Sequence, residues 1–405
     1  MKFTYKSPFN PKNFKDFNPK KFKIYTFNSG FKKRKDDLLV IEFNSPASVF
    51  SVYSKTSTPS APILWDKEHN KGLCKVLIVN SGNANAFTGK EGVKAIDEYV
   101  DFASKIFNCK KSNILVSSTG VIGEQINPKK ITNKLKLLPQ PTSKTLLSAA
   151  KSIMTTDTYP KIASETINYK SSKISIYGIA KGSGMIAPNM GTMLSYIFIE
   201  APLKRNDLKY MLSQHITSTF NSISVDGDTS TSDTVMLFGL KSNNDKIRIN
   251  KVLLSKISQK VYSIMLNLAK QIVSDGEGIS KLIEVNVNNA LNKNQAAKVS
   301  FSIAESLLVK TAIAGEDANW GRIVMAIGKA DTKIDQNKIK IKFGNLLVAS
   351  NGKMNSNLNI SKINKYMKNK IIKINVSLGI GESSRIVWSS DLTYTYLKIN
   401  SDYRS

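Results

Sequence analysis

The sequence is poor in the side chains that most often build disulfide frameworks and metal centres. Its 405 residues include two cysteines, Cys74 and Cys109, and two histidines, His69 and His215. The cysteines form no Cys-x-x-Cys or Cys/His grouping, which argues against a disulfide scaffold and indicates a reduced, cytoplasmic protein. Neither histidine has a partner at metal-ligand spacing, so no metal site is expected.

Long apolar runs and phosphate-binding loops are also missing. No apolar run approaches the roughly 18–20 residues that span a bilayer, and the basic N-terminus lacks the apolar stretch of a signal peptide. The glycine clusters match neither the P-loop nor the dinucleotide-binding fingerprint, and no G-x-S-x-G elbow supports a Ser-His-Asp triad. We therefore expect no membrane association, no resident cofactor and no histidine-based nucleophile.

Negative charge is scarce, since 59 Lys and Arg residues face 30 Asp and Glu residues, which gives a net charge of +29. Such an excess is typical of nucleic-acid binding. Here it is nearly all lysine, scattered along the chain, and no zinc-finger spacing, RNP-type aromatic motif or basic heptad region accompanies it. The pattern favours a solvated lysine-rich surface without a nucleic-acid partner, and a nucleic-acid-binding protein remains only a remote alternative.

Strands and helices alternate irregularly along the chain, which predicts an α+β layered fold and not a doubly wound parallel sheet. At 41% hydrophobic content the chain can form two to three cores of about 150 residues each. Residues 1–36, rich in Phe, Lys and Asn, predict an irregular basic arm. The patterns further predict helices over 128–154 and 252–273, and strands over 75–79, 370–378 and 391–399.

The stretch KGSGMIAPNMGTML, residues 181–194, brings several glycines and a proline to Thr192 at the mouth of an apolar strand. A threonine can act as a nucleophile without histidine when its own free α-amine, with a pKa of about 7.7–8.0, is the base. Thr192 gains that amine only if its hydroxyl attacks the Gly191 carbonyl in an N→O acyl shift and the ester is then hydrolysed. Taken alone, the stretch is also compatible with Thr192 being an ordinary strand residue.

Six motifs in order change that balance: VNSGNANAFTG, SSTGVIGE, KGSGMIAPNMGTML, SVDGDTSTSDTV, KTAIAGEDANWGRI and the terminal KINSDYRS. Together they resemble the ornithine acetyltransferase (glutamate N-acetyltransferase) family of arginine biosynthesis. The resemblance runs from about Gly30 to Ser405, nearly the whole chain.

The resemblance implies an αββα layered sandwich of the self-cleaving, N-terminal-threonine acyltransferase type. It implies a precursor that cuts itself between Gly191 and Thr192. The products would be an α chain, whose folded part is 37–191, and a β chain, 192–405, assembled as a heterotetramer. The family usually has alanine before the threonine, so Gly191 is a departure that puts the cleavage rate in question.

The resemblance also implies roles for single residues. Thr192 would take an acetyl group from N-acetylornithine and pass it to glutamate, while Thr119 and Gly120 would form the oxyanion hole. The implied substrate-binding residues are Thr155 (with Thr156 as the neighbouring alternative), Lys181, Thr192, Glu277, Asn400 and Ser405.

Several alternatives stay open. Acetyl-CoA is a second donor in bifunctional members of the family, whereas a monofunctional enzyme would use N-acetylornithine alone. An amidase or peptidase with the same nucleophile would hydrolyse its acyl ester without glutamate. The stretches NSGNANAFTG and DGDTSTSDT are expected to line the site or shape its loops, without an assigned catalytic role.

Overall fold

The structure, a computed structural model, describes residues 5–138, 144–170, 172–187, 193–241, 247–330 and 332–401. Within them the chain forms two β-sheets with helices packed around them. The strands are β1 Phe22–Phe27, β2 Leu38–Tyr53, β3 Leu73–Asn83, β4 Ile114–Val121, β5 Lys161–Tyr169, β6 Ser172–Lys181, β7 Leu194–Ile199, β8 Ile223–Ser224, β9 Thr234–Gly239, β10 Leu282–Ala290, β11 Lys340–Phe343, β12 Leu346–Ser350, β13 Lys353–Met354, β14 Ile371–Ser377 and β15 Ser383–Ser390. The helices are α1 Ala61–His69, α2 Gly89–Ile106, α3 Lys129–Leu135, α4 Leu146–Ser152, α5 Arg205–His215, α6 Lys251–Val273, α7 Lys293–Ala304, α8 Leu307–Ala314, α9 Trp320–Gly328, α10 Ile360–Met367 and α11 Tyr394–Ser401.

In several elements the spacing of apolar residues in the sequence matches the side of the element that is buried. In β3 the run Val76–Val79 is buried on both faces, as expected of an interior strand. In α2, Ile96, Val100 and Ala103 recur at helical spacing and are buried on one side. Helix α6 begins at its N-cap Asn250, whose side chain accepts a hydrogen bond from the Leu253 N–H at 2.9 Å.

The first sheet has the order β4-β3-β2-β9-β7-β6-β5, and β1 pairs with β2 outside this path. Strand β2 belongs to both halves of the sheet. Its first part, residues 38–43, pairs with β1 and β3, and its second part, residues 48–53, pairs with β9. The ladder with β3 has an irregularity between Glu42 and Ala47. Irregular pairing of this kind bends a strand, and a bent strand lets one half of a sheet pack against the other.

The core between the two halves is rich in aromatic side chains. The ring centroids of Phe22 and Phe198 are 4.6 Å apart, and those of Phe43 and Phe238 are 5.0 Å apart. Helices α1, α2 and α3 cover the outer face of β1–β4, whereas α5 and α6 cover the outer face of β5, β6, β7 and β9. The result is an αββα sandwich, which confirms the predicted fold class.

The second sheet has the order β13-β12-β11-β14-β10-β15-β8. Helices α7, α8, α9 and α10 pack on one of its faces around a separate hydrophobic core. Helix α6 contacts β5 and β6 of the first sheet as well as β8 and β15 of the second. This helix therefore joins the sandwich to the second sheet.

The structure differs from the predicted elements at three places. Residues Phe22–Phe27, in the arm predicted to be irregular, form β1. The helix predicted over 128–154 is two helices, α3 and α4, because Pro139 and Pro141 cannot continue a helix. The strand predicted over 391–399 is wrong: Tyr394–Ser401 is helix α11.

The error at 391–399 has a tertiary cause. Alternating Thr and Tyr residues favour a strand locally. Strand β10, however, already pairs with β14 on one side and with β15, residues 383–390, on the other. No ladder position beside β10 is left for the following segment.

Among the helices of the described ranges, none combines the length and apolarity needed to cross a membrane.

The aromatic core predicts a large stability loss on truncation. Phe198 is 0% exposed, so Phe198→Ala removes a ring and leaves a cavity, and we expect about 3–5 kcal/mol less unfolding free energy. The matched control is Phe87→Ala, since that ring is 83% exposed. Urea unfolding of both variants measures the difference. Equal losses would contradict the position of Phe198 in the core.

Candidate active site

Six residues predicted for the site line one pocket of about 140 Å³. They come from distant parts of the chain: the end of β4, the turn after α4, the end of β6, the turn after α6, and α11. The six are Thr119, Gly120, Thr155, Lys181, Glu277 and Asn400. Gly191, Thr192 and Ser405 lie outside the described residues.

Thr119 and Gly120 lie at the end of β4, which pairs in parallel with β3. Gly120 is paired with Gly82, and a Cβ on Gly120 would stand 2.3 Å from the carbonyl carbon of Gly82. Its φ of +133° is also one that side-chain-bearing residues rarely adopt. Only glycine fits there, so the strand end exposes backbone and not a side chain to the pocket.

Lys181, the last residue of β6, is 2% exposed and points its ammonium group at Thr119. Its Nζ donates a hydrogen bond to Thr119 Oγ1 at 3.1 Å. Burial lowers the pKa of Lys181, and the carboxylate of Asp157 opposes that shift. Because the Thr119 oxygen accepts from Lys181, the hydroxyl proton of Thr119 remains available to donate to another acceptor.

The turn before β5 carries two neighbouring threonines, both lining the pocket. The Thr156 hydroxyl is 2.7 Å from the Ser183 hydroxyl, with which it shares a hydrogen bond. The Thr155 hydroxyl makes no side-chain hydrogen bond to any residue that the structure describes. Of the two, Thr155 is therefore the one whose hydroxyl can bind a ligand without losing an existing contact.

Glu277 also lines the pocket and is 7% exposed. Its Oε2 accepts a hydrogen bond from Asn400 Nδ2 at 2.9 Å, and its backbone N–H donates to the Ser183 carbonyl at 2.9 Å. A Cβ on Gly184 would stand 2.6 Å from the Glu277 carboxyl group, so glycine at 184 makes room for it. The contact with Asn400 ties α11 to the pocket.

A fully buried ion cluster lies behind the pocket. Lys161 Nζ is 2.7 Å from Asp157 Oδ1 and 2.7 Å from Asp275 Oδ2, and all three side chains are 0% exposed. Asp157 also accepts hydrogen bonds from the backbone N–H groups of Thr155, at 2.9 Å, and Gly182, at 2.7 Å. Burial alone would raise the pKa of Asp157, but the ammonium groups of Lys161 and Lys181 hold it below its ordinary range.

The pocket also contains residues for which the sequence predicted no single role. Ser230, Thr231 and Ser232 come from the DGDTSTSDT stretch, and Ala84 comes from NSGNANAFTG. Both stretches therefore line the pocket, as the sequence predicts. A cluster of small polar residues next to a strand predicts a loop that lines a site, but it does not predict which side chain points inward.

The histidines take no part in the pocket. His69 stacks on Trp65 with ring centroids 3.8 Å apart, and His215 Nε2 lies 2.8 Å from Ser258 Oγ, where burial lowers the pKa of the imidazole. Both cysteines are free thiols. Among the described residues, no group of three or more His, Cys, Asp or Glu side chains could hold a metal ion.

Fold and pocket together define an α+β protein with a layered αββα core and one polar site at its strand ends. The chain belongs to the ArgJ family, whose model matches residues 23–405. It is 44% identical over 392 residues to the arginine biosynthesis bifunctional protein ArgJ of Bartonella henselae, covering 95% of each chain. It is 43% identical over 391 residues to the ArgJ protein of Brucella suis, again covering 95% of each.

Among solved structures, the chain is similar to the arginine biosynthesis bifunctional protein ArgJ of Bacillus halodurans. The two are 36% identical, with a TM-score of 0.47, over 52% of this chain and 99% of that one. The family membership confirms the resemblance seen in the motifs.

The buried cluster predicts a strong effect of Lys161→Met. Removing the ammonium group leaves two desolvated carboxylates, and we expect a loss of about 3–5 kcal/mol in unfolding free energy at pH 7. The matched control is Lys260→Met, which removes a partly exposed pair with Glu165 at 2.8 Å and should cost less than about 1 kcal/mol. Chemical denaturation measures both.

The sign of the pH dependence provides a second check on the same variant. In the parent protein the lowered pKa of Asp157 contributes stability above its unfolded pKa, and this contribution is lost as the pH falls. In Lys161→Met the cation bonded to both carboxylates is gone, so burial raises their pKa values and acidification relieves the cost of burying them charged. The deficit of the variant should shrink between pH 7 and pH 4, and a deficit that grew would be inconsistent with the cluster.

Proposed function

We propose that this chain is a cytoplasmic glutamate N-acetyltransferase of arginine biosynthesis, which moves acetyl from N-acetylornithine to glutamate through an acetyl ester on Thr192. Membership of the ArgJ family supports the activity. The observation that carries the proposal is the convergence on one pocket of six residues to which the resemblance assigns a role, spread from 119 to 400. Unrelated turns would not bring hydroxyl, ammonium and carboxylate groups together in this way.

The first step of the proposed function is self-cleavage between Gly191 and Thr192. The hydroxyl of Thr192 attacks the Gly191 carbonyl, and hydrolysis of the ester frees the Thr192 amine. That amine then serves as the base for the neighbouring hydroxyl, which removes the need for a histidine. The positions of His69 and His215 outside the pocket agree with such a mechanism.

The second step is acetyl transfer, for which the end of β4 supplies the oxyanion donors. The Thr119 hydroxyl already accepts from Lys181, so its own proton can stabilise the developing negative charge together with the Gly120 N–H. The bound lysine fixes the orientation of the hydroxyl before substrate arrives. Preorganised donors of this kind are effective because they need not reorient during the reaction.

The charged groups of the pocket suit amino-acid substrates. The ammonium group of Lys181 can bind a carboxylate of glutamate or N-acetylornithine. Glu277, held by Asn400 at 2.9 Å, can receive an ammonium group. Thr155 offers a hydroxyl in the same pocket, and Ser405 is proposed as a further contact.

We propose that acetyl-CoA is a second donor, since the similar proteins are named bifunctional. A monofunctional enzyme confined to N-acetylornithine is the alternative. In the mature enzyme the α and β chains would remain joined through β6 and β7, which pair antiparallel from Ile176↔Ile199 to Lys181↔Leu194. Two such units would form the heterotetramer.

The decisive test is Thr192→Ala. The parent protein should run as two fragments on a denaturing gel, one with the N-terminal sequence Thr192-Met193-Leu194, and should form N-acetylglutamate. The variant should remain one chain of 44.8 kDa without transferase activity. The assay is run with N-acetylornithine and, separately, with acetyl-CoA as the only donor. A cleaved and active Thr192→Ala variant would rule out the mechanism, and acetyl-CoA turnover distinguishes the bifunctional from the monofunctional enzyme.

The oxyanion role of Thr119 predicts a specific kinetic loss. Thr119→Val keeps the side-chain shape but removes the hydroxyl, so kcat should fall about 10²–10³-fold with a smaller change in KM. Thr119→Ser is the matched control, because it keeps the hydroxyl and should retain most of kcat. Steady-state kinetics on fully processed protein measures both. A valine variant with normal kcat would remove Thr119 from the mechanism.

A further inference from the structure

The loop between β8 and β9, residues 225–233, contacts the chain on both sides of the Gly191–Thr192 bond. It consists of Val225 and the DGDTSTSDT stretch without its last residue, Thr234, and its serines line the pocket. Its two end carboxylates, Asp226 and Asp233, accept hydrogen bonds from backbone N–H groups. Asp226 binds the chain before the bond that the proposed function cuts, and Asp233 binds the chain after it.

Upstream of that bond, Asp226 holds the segment that leads toward it. Its Oδ2 accepts the N–H of Met185 at 2.6 Å, and its Oδ1 accepts the N–H of Ile186 at 2.9 Å. The Val225 N–H donates to the Ile186 carbonyl at 2.8 Å. Burial raises the pKa of Asp226 to about 6, so at neutral pH the group is mainly an ionised double acceptor.

Downstream, Asp233 holds the first residue after Thr192. Its Oδ1 accepts the N–H of Met193 at 2.8 Å, and the Thr234 N–H donates to the Met193 carbonyl at 3.0 Å. Asp233 is fully buried, and within the described ranges its second oxygen, Oδ2, has no hydrogen-bond partner. Burial raises the pKa of Asp233 well above its ordinary value, although the Met193 N–H and the Lys181 ammonium act in the opposite sense. A buried carboxyl group with a strongly shifted pKa is typical of a functional position.

The loop is itself anchored to two other parts of the fold. The buried ammonium of Lys310 on α8 donates to the Val225 carbonyl at 2.7 Å. From the other side, the Ser54 N–H donates to the Asp233 carbonyl at 2.9 Å and the Ser54 hydroxyl donates to the Ser230 carbonyl at 2.7 Å. Both ends of the loop are therefore fixed, and they can fix the chain segments that they bind.

We propose that the 225–233 loop positions the chain for self-cleavage, with Asp226 holding it before the Gly191–Thr192 bond and Asp233 holding it after. The proposal rests on the proposed self-cleavage. In the acyl shift the Thr192 oxygen forms a bond to the Gly191 carbonyl carbon, the C–N bond breaks, and the hydroxyl proton ends on the freed amine. Water then hydrolyses the ester to a Gly191 carboxyl group and the Thr192 hydroxyl.

That shift passes through a five-membered ring, which few conformations of a free chain can form. Holding both sides of the bond lowers the conformational freedom that must be lost to reach the ring, as orientation does in other intramolecular reactions. The two aspartates are thus positioning residues. They act through backbone N–H groups, and neither needs to touch the reacting atoms.

The test is the rate of self-cleavage after pulse-labelled, cell-free synthesis of the full chain, followed as loss of the 44.8 kDa precursor. Asp226→Ala and Asp233→Ala should each slow cleavage about tenfold or more, as expected when a buried backbone N–H loses its side-chain acceptor. Asp228→Ala is the matched control, because this side chain is exposed in the same loop. Asp233→Asn keeps an acceptor for the Met193 N–H and should cut at close to the parental rate.

A general loss of stability is separated from positioning by Ile374→Val, which removes a buried methyl group from β14, in the separate core of the second sheet. It should lower the melting temperature without slowing cleavage. If an alanine variant does not fold, the cleavage rate of Asp226→Asn is measured instead. Asparagine has one acceptor oxygen for the two N–H donors of Met185 and Ile186. Slower cleavage supports the proposal, and a parental rate overturns it.

Parental cleavage rates in both alanine variants would overturn the positioning role, and so would equal slowing by Asp233→Asn and Asp233→Ala. The failure of the proposed function looks different, because in that case the parent chain itself would stay uncut. The two ideas can therefore fail separately in one experiment.

Discussion

The pocket depends on one buried cation, the ammonium group of Lys161. It neutralises Asp157, which holds the backbone of the turn before β5 and of Gly182, the residue after Lys181. It also neutralises Asp275, which lies in the turn after α6, two residues before Glu277. One charge therefore sets the positions of several groups of the pocket. Two desolvated carboxylates could not stay ionised there without it, because their mutual repulsion and desolvation would favour protonation or unfolding.

The first sheet passes without a break across the predicted cleavage point. Strand β6 ends at Lys181 and pairs with β7, which begins at Leu194, while β7 in turn pairs with β9. Backbone hydrogen bonds on both edges of β7 hold it independently of the chain connection before it. A cut between 191 and 192 would thus leave a new chain terminus two residues before an interior strand. The strand itself has little freedom to move, and it would remain in the sheet after the cut.

Local pattern was enough for elements whose burial follows their own sequence, such as α6 and the apolar run Val76–Val79. It failed at 391–399, where alternating Tyr and Thr residues suit a strand but the neighbouring ladder positions are already taken. Local pattern also did not predict the buried position of Lys161, because nothing in the sequence distinguishes it from the other 58 Lys and Arg residues. Its partner Asp275 is 114 residues away, so the pairing exists only in the fold. Likewise the pocket residues came from the family resemblance, because no spacing rule links Thr119 to Asn400.

Under the proposed function, the high net charge and the substrate selectivity would reside in different parts of the molecule. Most of the lysines are scattered along the chain, and screening limits their reach to about 8–10 Å at physiological salt. Within that range a positive field raises the encounter rate with anions, and glutamate and acetyl-CoA, the substrates of the proposed function, are both anionic. Choice among anions must come from groups that salt does not screen. Lys181, 2% exposed and bonded to Thr119, and Glu277, bonded to Asn400, are such groups. A charge of +29 is therefore compatible with a small-molecule enzyme, because the surface can attract anions generally while the buried pair distinguishes among them.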